Sequence, residues 1–310
     1  KLKYIDKSLI DYKKDRNKYD MTDMIVDFNK KNYDLMPNFD VVIIDEAQDL
    51  SWLQWKMVER VITKAKRVYI AGDDDQAIYR WAGARPEFLM NMDGKRTILN
   101  KSYRLAESIH AKANKLIKRV KDRVDKEWTA RDEKGQINIH PVEQLQKMKE
   151  GEWLILARDG YRLDKLEEEL KIYGYFYERG DRTSINKRVH EAVLAWEDIR
   201  KGKELDIKRV KSFYNYIKTG TGVDKKFKSM TNVDKDKMFT FDMLKESYGL
   251  KLDKELPWFK ALENIESTKK TYVRMCLRRK ENIRRAPRIK LSTIHGSKGG
   301  EADNVMLLTD

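Results

Sequence analysis

Short apolar runs, several of them rich in valine and isoleucine, alternate along most of the chain with longer segments of helical period. Such runs bounded by polar turns are typical of buried strands, and the segments between them are long enough for helices. We predict strands at 40–44, 67–71, 96–99, 136–140, 153–157, 289–293 and 304–308. We predict helices at 51–64, 104–119, 160–173, 184–201 and 258–280. This alternation predicts an α/β fold built on parallel sheets.

The stretch from 203 to 286 has a different pattern, because it lacks strand-like runs and is dense in lysine and arginine. We predict a mainly helical, basic insertion there, with strand character returning from residue 287. Two interpretations of its charge stay open. One is a solvated helical face, and the other is a surface that contacts nucleic acid or a protein partner.

The composition favours an anionic partner. The chain has 310 residues, a length typical of about two domains. Lys and Arg number 66 against 51 Asp and Glu, which gives a formal net charge of +15 at pH 7. The apolar residues are gathered in dense runs, so we expect the chain to fold rather than to stay disordered.

The sequence indicates an intracellular protein without a membrane partner. Cys276 is the single cysteine and has no intramolecular disulfide partner. No stretch approaches the roughly 20 apolar residues that span a bilayer, and the N-terminus lacks the apolar core of a signal peptide. Residue 1 is Lys rather than Met, and the last residues follow a predicted strand directly. We therefore expect a fragment of a longer protein.

The segment FDVVIIDEAQDLS carries the first candidate site, because an apolar strand ends there in Asp45 and Glu46. Ligands of open parallel sheets gather at the carboxyl ends of the strands. One carboxylate at such an edge can hold Mg²⁺ while its neighbour orients or deprotonates an attacking water. The alternative is a strand end whose acidic residues cap the next helix.

A second predicted strand runs into Gly72, three aspartates at 73–75 and Gln76, with Tyr79 and Trp81 close behind. Gly72 permits a tight turn. We expect the polar residues to lie beside the first acidic strand end, and the two aromatic rings can offer flat faces to unstacked bases. The alternative is a polar loop followed by aromatic core residues.

Four motifs follow one another along the chain: DEAQD (45–49), AGDDDQAIYRWAGA (71–84), LNKSYR (99–104) and LSTIHGSKGGE (291–301). In these motifs and their order the chain resembles the UvrD/PcrA/Rep-type superfamily 1 DNA helicases. The resemblance implies RecA-like motor domains of the P-loop NTPase type with a helical insertion. The expected segments are the later part of the first motor domain (1–95), the first part of the second (96–202), the insertion (203–286) and the return of the second (287–310).

The resemblance also implies ATP and Mg²⁺ as cofactors. Asp45 would coordinate the Mg²⁺ of Mg-ATP, and Glu46 would be the catalytic base for the hydrolytic water. Gln76 would sense the γ-phosphate. Arg104 would reach the same phosphate from the second motor domain and stabilise charge in the transition state, as an arginine finger does. The alternative for Arg104 is an arginine on the surface of a helix.

Two further residues would contact the nucleotide or its metal site. The resemblance implies that Asp73 supports the metal site or the coupling between the nucleotide and DNA sites. It places Glu301 near the ribose or the γ-phosphate.

The implied partners are single-stranded DNA and junctions of single- and double-stranded DNA. Tyr79 and Trp81 would stack on bases, while Thr293, His295 and Lys298 would lie at the DNA-binding or coupling surface of the second motor domain. Stacking and phosphate contacts carry little base information, so we expect sequence-tolerant binding. The alternative for His295 is a structural histidine.

The sequence departs from the family pattern in several places. It has no phosphate-binding G-x-x-x-x-G-K-[ST] loop, and the family's last arginine-bearing motif would lie beyond residue 310. Gly300 stands where the family usually carries Leu, and Ser102 stands where it usually carries Asn. Because the phosphate-binding loop is missing, we expect the chain alone to be inactive as an ATPase.

Three functional hypotheses follow. The first is an ATP-dependent DNA helicase or translocase of the UvrD type, moving 3′ to 5′ and serving DNA repair or replication in the cytoplasm or nucleoid of a bacterial or phage-infected cell. The second is a non-hydrolysing, helicase-like module that binds DNA or a partner. The third, a carboxylate nuclease based on residues 73–75, ranks last because nothing else in the sequence supplies a nuclease site.

Overall fold

The computed structural model describes residues 2–31, 36–139, 148, 150–231, 233–234 and 236–309. The chain forms two compact units, which divide between residues 139 and 140. This division differs from the domain boundary that we predicted between residues 95 and 96. Ion pairs between residues 123–126 and residues 73–75 hold the intervening segment on the first unit.

The first unit contains a pair of parallel strands, β1 (Phe39–Ile44) and β2 (Ala65–Ile70). The register places Phe39 opposite Ala65 and Ile44 opposite Ile70, so both strands end at the same edge. The α-helices described in this unit are α1 (Leu2–Asp15), α2 (Met21–Lys30), α3 (Trp52–Ile62), α4 (Pro86–Met90) and α5 (Glu107–Ile117). The strands predicted at 40–44 and 67–71 and the helices predicted at 51–64 and 104–119 are confirmed.

Helix α3 covers one face of this sheet. Its start is fixed by a capping box, in which Gln54 N donates to Ser51 Oγ and Ser51 N donates to Gln54 Oε1. Trp55 and Val58 are buried beneath it, and the Trp55 ring stacks on Phe88 with 5.8 Å between ring centroids. This small core fixes the edge at which β1 and β2 end.

The strands predicted at 96–99 and 136–140 are wrong as far as the structure describes them. Residues 96–99 are irregular, and the Leu99 side chain is 89% exposed. Residues 136–139 are irregular too, and residue 140 lies outside the described residues. An apolar run forms a strand only where a neighbouring strand can pair with it. Close to residues 96–99, the pairing that the structure describes is an isolated bridge between Lys101 and Thr129.

The second unit is built on a sheet with the strand order β5-β4-β6-β3-β7. Its strands are β3 (Trp153–Ala157), β4 (Tyr177–Arg179), β5 (Arg182–Thr183), β6 (Ile289–Thr293) and β7 (Asn304–Leu307). All neighbours pair in parallel except β5, which pairs antiparallel with β4 at the sheet edge. The predicted α/β class with parallel strands is therefore confirmed.

The helices described in this unit are α6 (Gly160–Ile172), α7 (Lys187–Ile199), α8 (Ile207–Tyr214), α9 (Phe241–Ser247), α10 (Trp258–Ala261) and α11 (Ser267–Arg278). Helix α6 packs against the sheet, and the later helices form a core of their own, which includes the basic stretch. The single helix predicted at 258–280 is wrong, because the chain turns between α10 and α11. In that turn Asn264 N donates to Tyr216 O at 2.9 Å and Asn264 Nδ2 donates to Ile217 O at 3.2 Å. Throughout the described residues, no helix combines the length and apolar character needed to cross a membrane.

A buried carboxylate joins the helices of the second unit. The side chain of Asp198, at the end of α7, is only 5% exposed and forms ion pairs with Lys203, Arg209 and Arg284 at 3.1, 2.6 and 3.0 Å. Burial alone would raise the pKa of Asp198, but these three cations outweigh it and hold the pKa well below its usual value. The network therefore fixes α7 against α8 and against the segment that leads to β6.

We expect Asp198→Asn to lower the free energy of unfolding of the second unit by about 2 kcal/mol at pH 7. The cost falls below the 3–5 kcal/mol typical of broken buried pairs because the three cations can be solvated on their own. Because the pKa of Asp198 in the folded protein lies below its ordinary value of 3.8, the ionised carboxylate stabilises the fold at pH values above 3.8. This contribution is lost as the pH falls below 3.8 toward the folded-state pKa. Denaturant-dependent hydrogen exchange of the α7 and α8 amides measures both effects.

Asp181→Asn is the control, because Asp181 is an exposed carboxylate of the same unit. An equal loss of stability in the control, or a difference that persists unchanged below pH 3, would contradict the role of the Asp198 network.

Candidate functional site

The two acidic motifs of the first unit meet at one edge of the sheet. Asp45 and Glu46 come directly after the last residue of β1. Gly72 and Asp73 come after β2, with one residue between them and the end of that strand. The pairing continues past the strands, because Ala71 N donates to Ile44 O at 2.8 Å and Ala47 N donates to Ala71 O at 3.0 Å. The predicted juxtaposition of the two acidic motifs therefore follows from the parallel register.

Glu46 has a left-handed backbone conformation, with φ of 52° and ψ of 36°. Its amide N–H donates to Asp45 Oδ1 at 2.8 Å, and the chain then enters a short 3₁₀ turn at residues 47–49. Residues other than glycine seldom adopt this conformation, and those that do cluster at functional sites. Both carboxylates are exposed at the edge of the sheet. This turn is where β1 delivers its acidic side chains to solvent.

Gln48 joins the two motifs. Its side chain is fully buried, and its carboxamide donates from Nε2 to Glu46 Oε2 at 2.6 Å and accepts at Oε1 from Asp73 N at 3.0 Å. Asp73 Oδ2 in turn accepts from Gln76 Nε2 at 2.6 Å. A continuous chain of hydrogen bonds thus links Glu46, Gln48, Asp73 and Gln76. No role for Gln48 followed from the sequence, because its burial depends on the packing of two loops.

Gly72 is required by a close approach rather than by a special turn. A Cβ atom at this position would lie 2.7 Å from Gln48 Oε1 and 2.6 Å from Leu89 Cδ2. Real Cβ atoms do not come this close to other heavy atoms, so any larger residue would displace the Gln48 carboxamide. The absence of a side chain at position 72 therefore allows Gln48 to bridge the two loops.

The run of aspartates after Gly72 is paired with a basic segment that sequence reasoning missed. Arg123 donates to both carboxylate oxygens of Asp75, with both distances 2.8 Å, and Lys126 Nζ lies 2.8 Å from Asp73 and 3.1 Å from Asp75. Lys126 also contacts the carboxylate of Asp74, which is 7% exposed. No sequence pattern points from residues 73–75 to residues 123–126, because about 50 residues separate them.

These contacts determine the ionisation of the run. Burial of Asp75 would raise its pKa, but hydrogen bonds from Arg123 and Lys126 outweigh the burial and hold the pKa below its usual value. Burial likewise opposes the charge of Lys126, yet its bonds to Asp73 and Asp74 raise the lysine pKa. Asp74 and Asp75 are thus engaged in ion pairs, which does not favour the nuclease interpretation. Within the described part of the chain, no group of three or more His, Cys, Asp or Glu side chains is arranged to hold a metal ion.

The aromatic residues of the second motif follow in a short turn at residues 80–82. Trp81 is 76% exposed, so it is not a core residue, whereas Tyr79 is half-buried. Tyr79 O accepts from Ala84 N at 3.2 Å, and Gly83 closes the turn with φ of 99°, a conformation that favours glycine. The turn presents the Trp81 ring at the surface only a few residues after Gln76.

Arg104 lies in the first compact unit, together with Glu46 and Gln76. It occupies the turn before α5, where its amide N–H donates to Ser102 Oγ at 3.3 Å, and its side chain is exposed. This position differs from the one that we expected in the second motor domain. Its role toward a phosphate stays a prediction.

The remaining predicted residues lie in the second unit, in the turn that follows β6. Thr293 Oγ1 accepts from Gly296 N at 3.1 Å, and Ser297 Oγ donates to Ile294 O at 3.1 Å. Ile294 N donates to Ala157 O at the end of the neighbouring strand β3, so the turn lies at the carboxyl edge of this sheet. The turn carries the candidate residues Thr293, His295 and Lys298, which are half-buried, and leads to Glu301, which is exposed.

Comparison with known protein families finds a similarity in the first part of the first unit. Residues 1–97 match the model of the UvrD/REP helicase N-terminal domain. The matched range includes both acidic motifs and Trp81, and it ends before Arg104 and before the turn after β6.

Individual relatives agree with this match. DNA helicase II of Haemophilus influenzae is 37% identical over 101 residues, which cover 31% of this chain and 14% of the relative. DNA helicase II of Escherichia coli is 37% identical over 97 residues, 29% of this chain and 14% of the relative. The ATP-dependent DNA helicase PcrA of Staphylococcus aureus is 26% identical over 191 residues, 58% of this chain and 25% of the relative. The chain therefore spans a minor part of the length of these curated relatives.

We expect Gly72→Ala to destabilise the first unit by about 1–3 kcal/mol, because the new methyl group must displace Gln48 or Leu89. Hydrogen exchange of the β1 and β2 amides measures the loss. Gly160→Ala is the control, since a Cβ there would meet only the flexible end of Arg179, at the first position of α6. A Gly72→Ala chain as stable as the original would contradict the close approach to Gln48.

Proposed function

We propose that this chain, a relative of the UvrD-type superfamily 1 helicases, provides the ATPase and DNA-binding groups of a DNA helicase or translocase that couples Mg-ATP hydrolysis to movement along single-stranded DNA. The observation that carries the proposal is the chain of hydrogen bonds from Glu46 through Gln48 and Asp73 to Gln76. A module that only binds DNA has no chemical need for an oriented carboxylate linked to an oriented carboxamide. The proposed direction of movement, 3′ to 5′, rests on the resemblance alone.

Glu46 is the proposed catalytic base. The bond from Gln48 Nε2 fixes the orientation of its carboxylate at the solvent-facing edge of the sheet. A carboxylate held in this way can accept a proton from a water molecule as that water attacks a γ-phosphate. Glu46 has a left-handed backbone where the chain leaves β1, and the bond from the buried Gln48 holds its carboxylate.

Asp45 is the proposed metal ligand. Its exposed carboxylate fits Mg²⁺, because this ion prefers oxygen ligands and commonly takes only one or two carboxylates, with phosphates and water completing its shell. When bound, Mg-ATP supplies the phosphoryl group that is transferred to water. Asp73 would support this site through its place in the hydrogen-bond chain. Arg104 and Glu301 keep their proposed roles toward the γ-phosphate and the ribose.

Gln76 is the proposed sensor of the γ-phosphate. The side chain of Gln76 is exposed, and its Nε2 donates to Asp73. This hydrogen bond sets the orientation of the Gln76 carboxamide. Gaining or losing a bond to a phosphate oxygen would change this arrangement. Because Tyr79 and Trp81 follow Gln76 directly in the same loop, such a change would reach the aromatic rings over a short stretch of backbone.

The DNA-binding proposal rests on the exposure of Trp81. A ring that is 76% exposed on a structured turn can stack on an unpaired base, and Tyr79 lies beside it in the sequence. Thr293, His295 and Lys298 are the proposed contacts of the second unit with the DNA strand. The excess of positive charge, +15 over the chain, supplies the sequence-independent attraction to phosphates.

Substituting Glu46 tests the proposed hydrolysis. In the protein encoded by the complete reading frame that includes this chain, we expect Glu46→Gln to reduce DNA-stimulated Mg-ATP turnover by about 100- to 10,000-fold, the usual contribution of a general base. Binding of single-stranded DNA should persist. Turnover is measured by phosphate release with and without single-stranded DNA.

Glu59→Gln is the matched control, because Glu59 is a partly exposed acid of α3 whose recorded ion pair is with Lys56. Undiminished turnover in Glu46→Gln would refute the assignment of the base. No turnover in the unsubstituted protein, together with salt-sensitive DNA binding, would favour the non-hydrolysing binding module.

Substituting Trp81 tests the DNA contact. We expect Trp81→Ala to weaken binding of single-stranded DNA by about 1–3 kcal/mol, the usual contribution of one stacked base. The salt dependence should stay the same, since no phosphate contact is removed. Fluorescence anisotropy of a labelled oligonucleotide over a salt series measures both. Trp52→Ala is the control, because Trp52 is also exposed but lies on α3, and equal losses in both variants would argue against stacking on Trp81.

A further inference from the structure

The loop that carries Gln76 is held by a basic segment distant in sequence, residues 123–126, which we name the basic clamp. We propose that Arg123 and Lys126 of this clamp are positioning residues for Gln76, on which Lys126 acts through Asp73 and Arg123 through Asp75, without contacting the nucleotide themselves. The inference rests on the proposed ATPase function. It assigns to these two cations a role that neither the motifs nor the similarity to known helicases indicates.

Arg123 anchors the far end of the acidic run. Its guanidinium donates from Nε and Nη2 to the two oxygens of Asp75, and both side chains are nearly buried, at 11% and 12% exposure. Two parallel bonds to one carboxylate fix both position and rotation, which a single contact does not. The backbone adds a further contact, because Val124 N donates to Asp74 Oδ2 at 2.7 Å.

Lys126 holds the near end of the run, next to the sensor. Its Nζ is 2.8 Å from Asp73 Oδ1, and its side chain is 14% exposed. The other oxygen of the same carboxylate, Oδ2, accepts the bond from Gln76 Nε2 at 2.6 Å. Lys126 therefore fixes the rotation of the carboxylate that in turn fixes the Gln76 carboxamide.

The electrostatics explain why the clamp is needed. Three consecutive aspartates repel one another, and Asp74 and Asp75 are largely removed from water, with side chains 7% and 12% exposed. Removing Lys126 would take away the cation that pairs with the nearly buried Asp74, and the loop would have to reopen toward water. Because Asp73 N also donates to Gln48, such a rearrangement would release the link to Glu46 as well.

A positioning role predicts a specific kinetic pattern. In the protein encoded by the complete reading frame, we expect Lys126→Met to lower kcat of the DNA-stimulated ATPase by about 10- to 100-fold, as for a misplaced active-site group. KM for ATP should change less than about twofold, since the lysine does not contact the nucleotide. In a Gln76→Ala background the same substitution should cause no further loss of kcat, because it acts through Gln76. Lys126→Arg should restore most of the activity, since it keeps the charge and the donors.

Lys121→Met is the matched control, because it removes the same charge from an exposed position just before the basic clamp, and it should leave kcat and KM unchanged. An undiminished kcat in Lys126→Met would overturn the proposal. If Lys126→Met lowered kcat equally in the original protein and in the Gln76→Ala background, the proposal would also be overturned, since the clamp would then serve stability alone. If Lys126→Met fails to fold, Arg123→Lys replaces it, because it keeps the charge and loses only the two-bond geometry.

A second measurement separates this proposal from the proposed function. Hydrogen exchange of the Gln76 and Ala77 amides, which donate to Asp73 O and Asp74 O, reports the order of the loop without any turnover. In the 310-residue chain, Lys126→Met should accelerate this exchange by about tenfold or more, and Lys121→Met should not. A protein without ATPase activity would refute the proposed function, whereas unchanged exchange in Lys126→Met would refute the clamp.

Discussion

The buried carboxamide of Gln48 is the contact on which the arrangement of the first unit depends. It accepts from the backbone of one loop and donates to the carboxylate of the other, so neither loop can shift without breaking a bond inside the protein. Leaving a buried polar group unpaired costs about 1–3 kcal/mol, which is enough to make one arrangement of the two loops dominant. The bridge is possible only because Gly72 leaves room for it and because β1 and β2 end at the same edge.

Each of the two units contains a nearly buried carboxylate that is surrounded by several cations. In the first unit Asp75 meets Arg123 and Lys126, and in the second Asp198 meets three basic side chains. The chain carries 66 Lys and Arg against 51 Asp and Glu, so cations outnumber carboxylates. Asp75 and Asp198 each contact more than one cation, and the pKa of each of these two acids falls in spite of its burial. The positive charge that remains at the surface is what could attract an anionic polymer.

The parts of the fold that followed from the sequence are those set by local pattern. The strands at 40–44, 153–157 and 289–293 were predictable, because each is a run of apolar residues bounded by turns and pairs with a neighbouring strand. The run at 96–99 has the same local pattern and stays irregular, since strand formation needs a partner that a local pattern cannot report. The break between α10 and α11 has a similar origin, because Asn264 bonds to residues near the end of α8.

In the candidate site, too, some residues were predictable from the sequence and others were not. The acidic strand ends were predictable from motif and register, whereas Gln48 and the basic clamp were not, because their roles come from contacts between loops far apart in the chain. These unpredicted residues join loops that are distant in the chain. Gln76 lies between them, since Asp73 is bound to Gln48 through its backbone and to Lys126 through its side chain. A side chain held from two sides can transmit a small displacement instead of absorbing it, and the turn that carries Trp81 to the surface follows Gln76 in the chain.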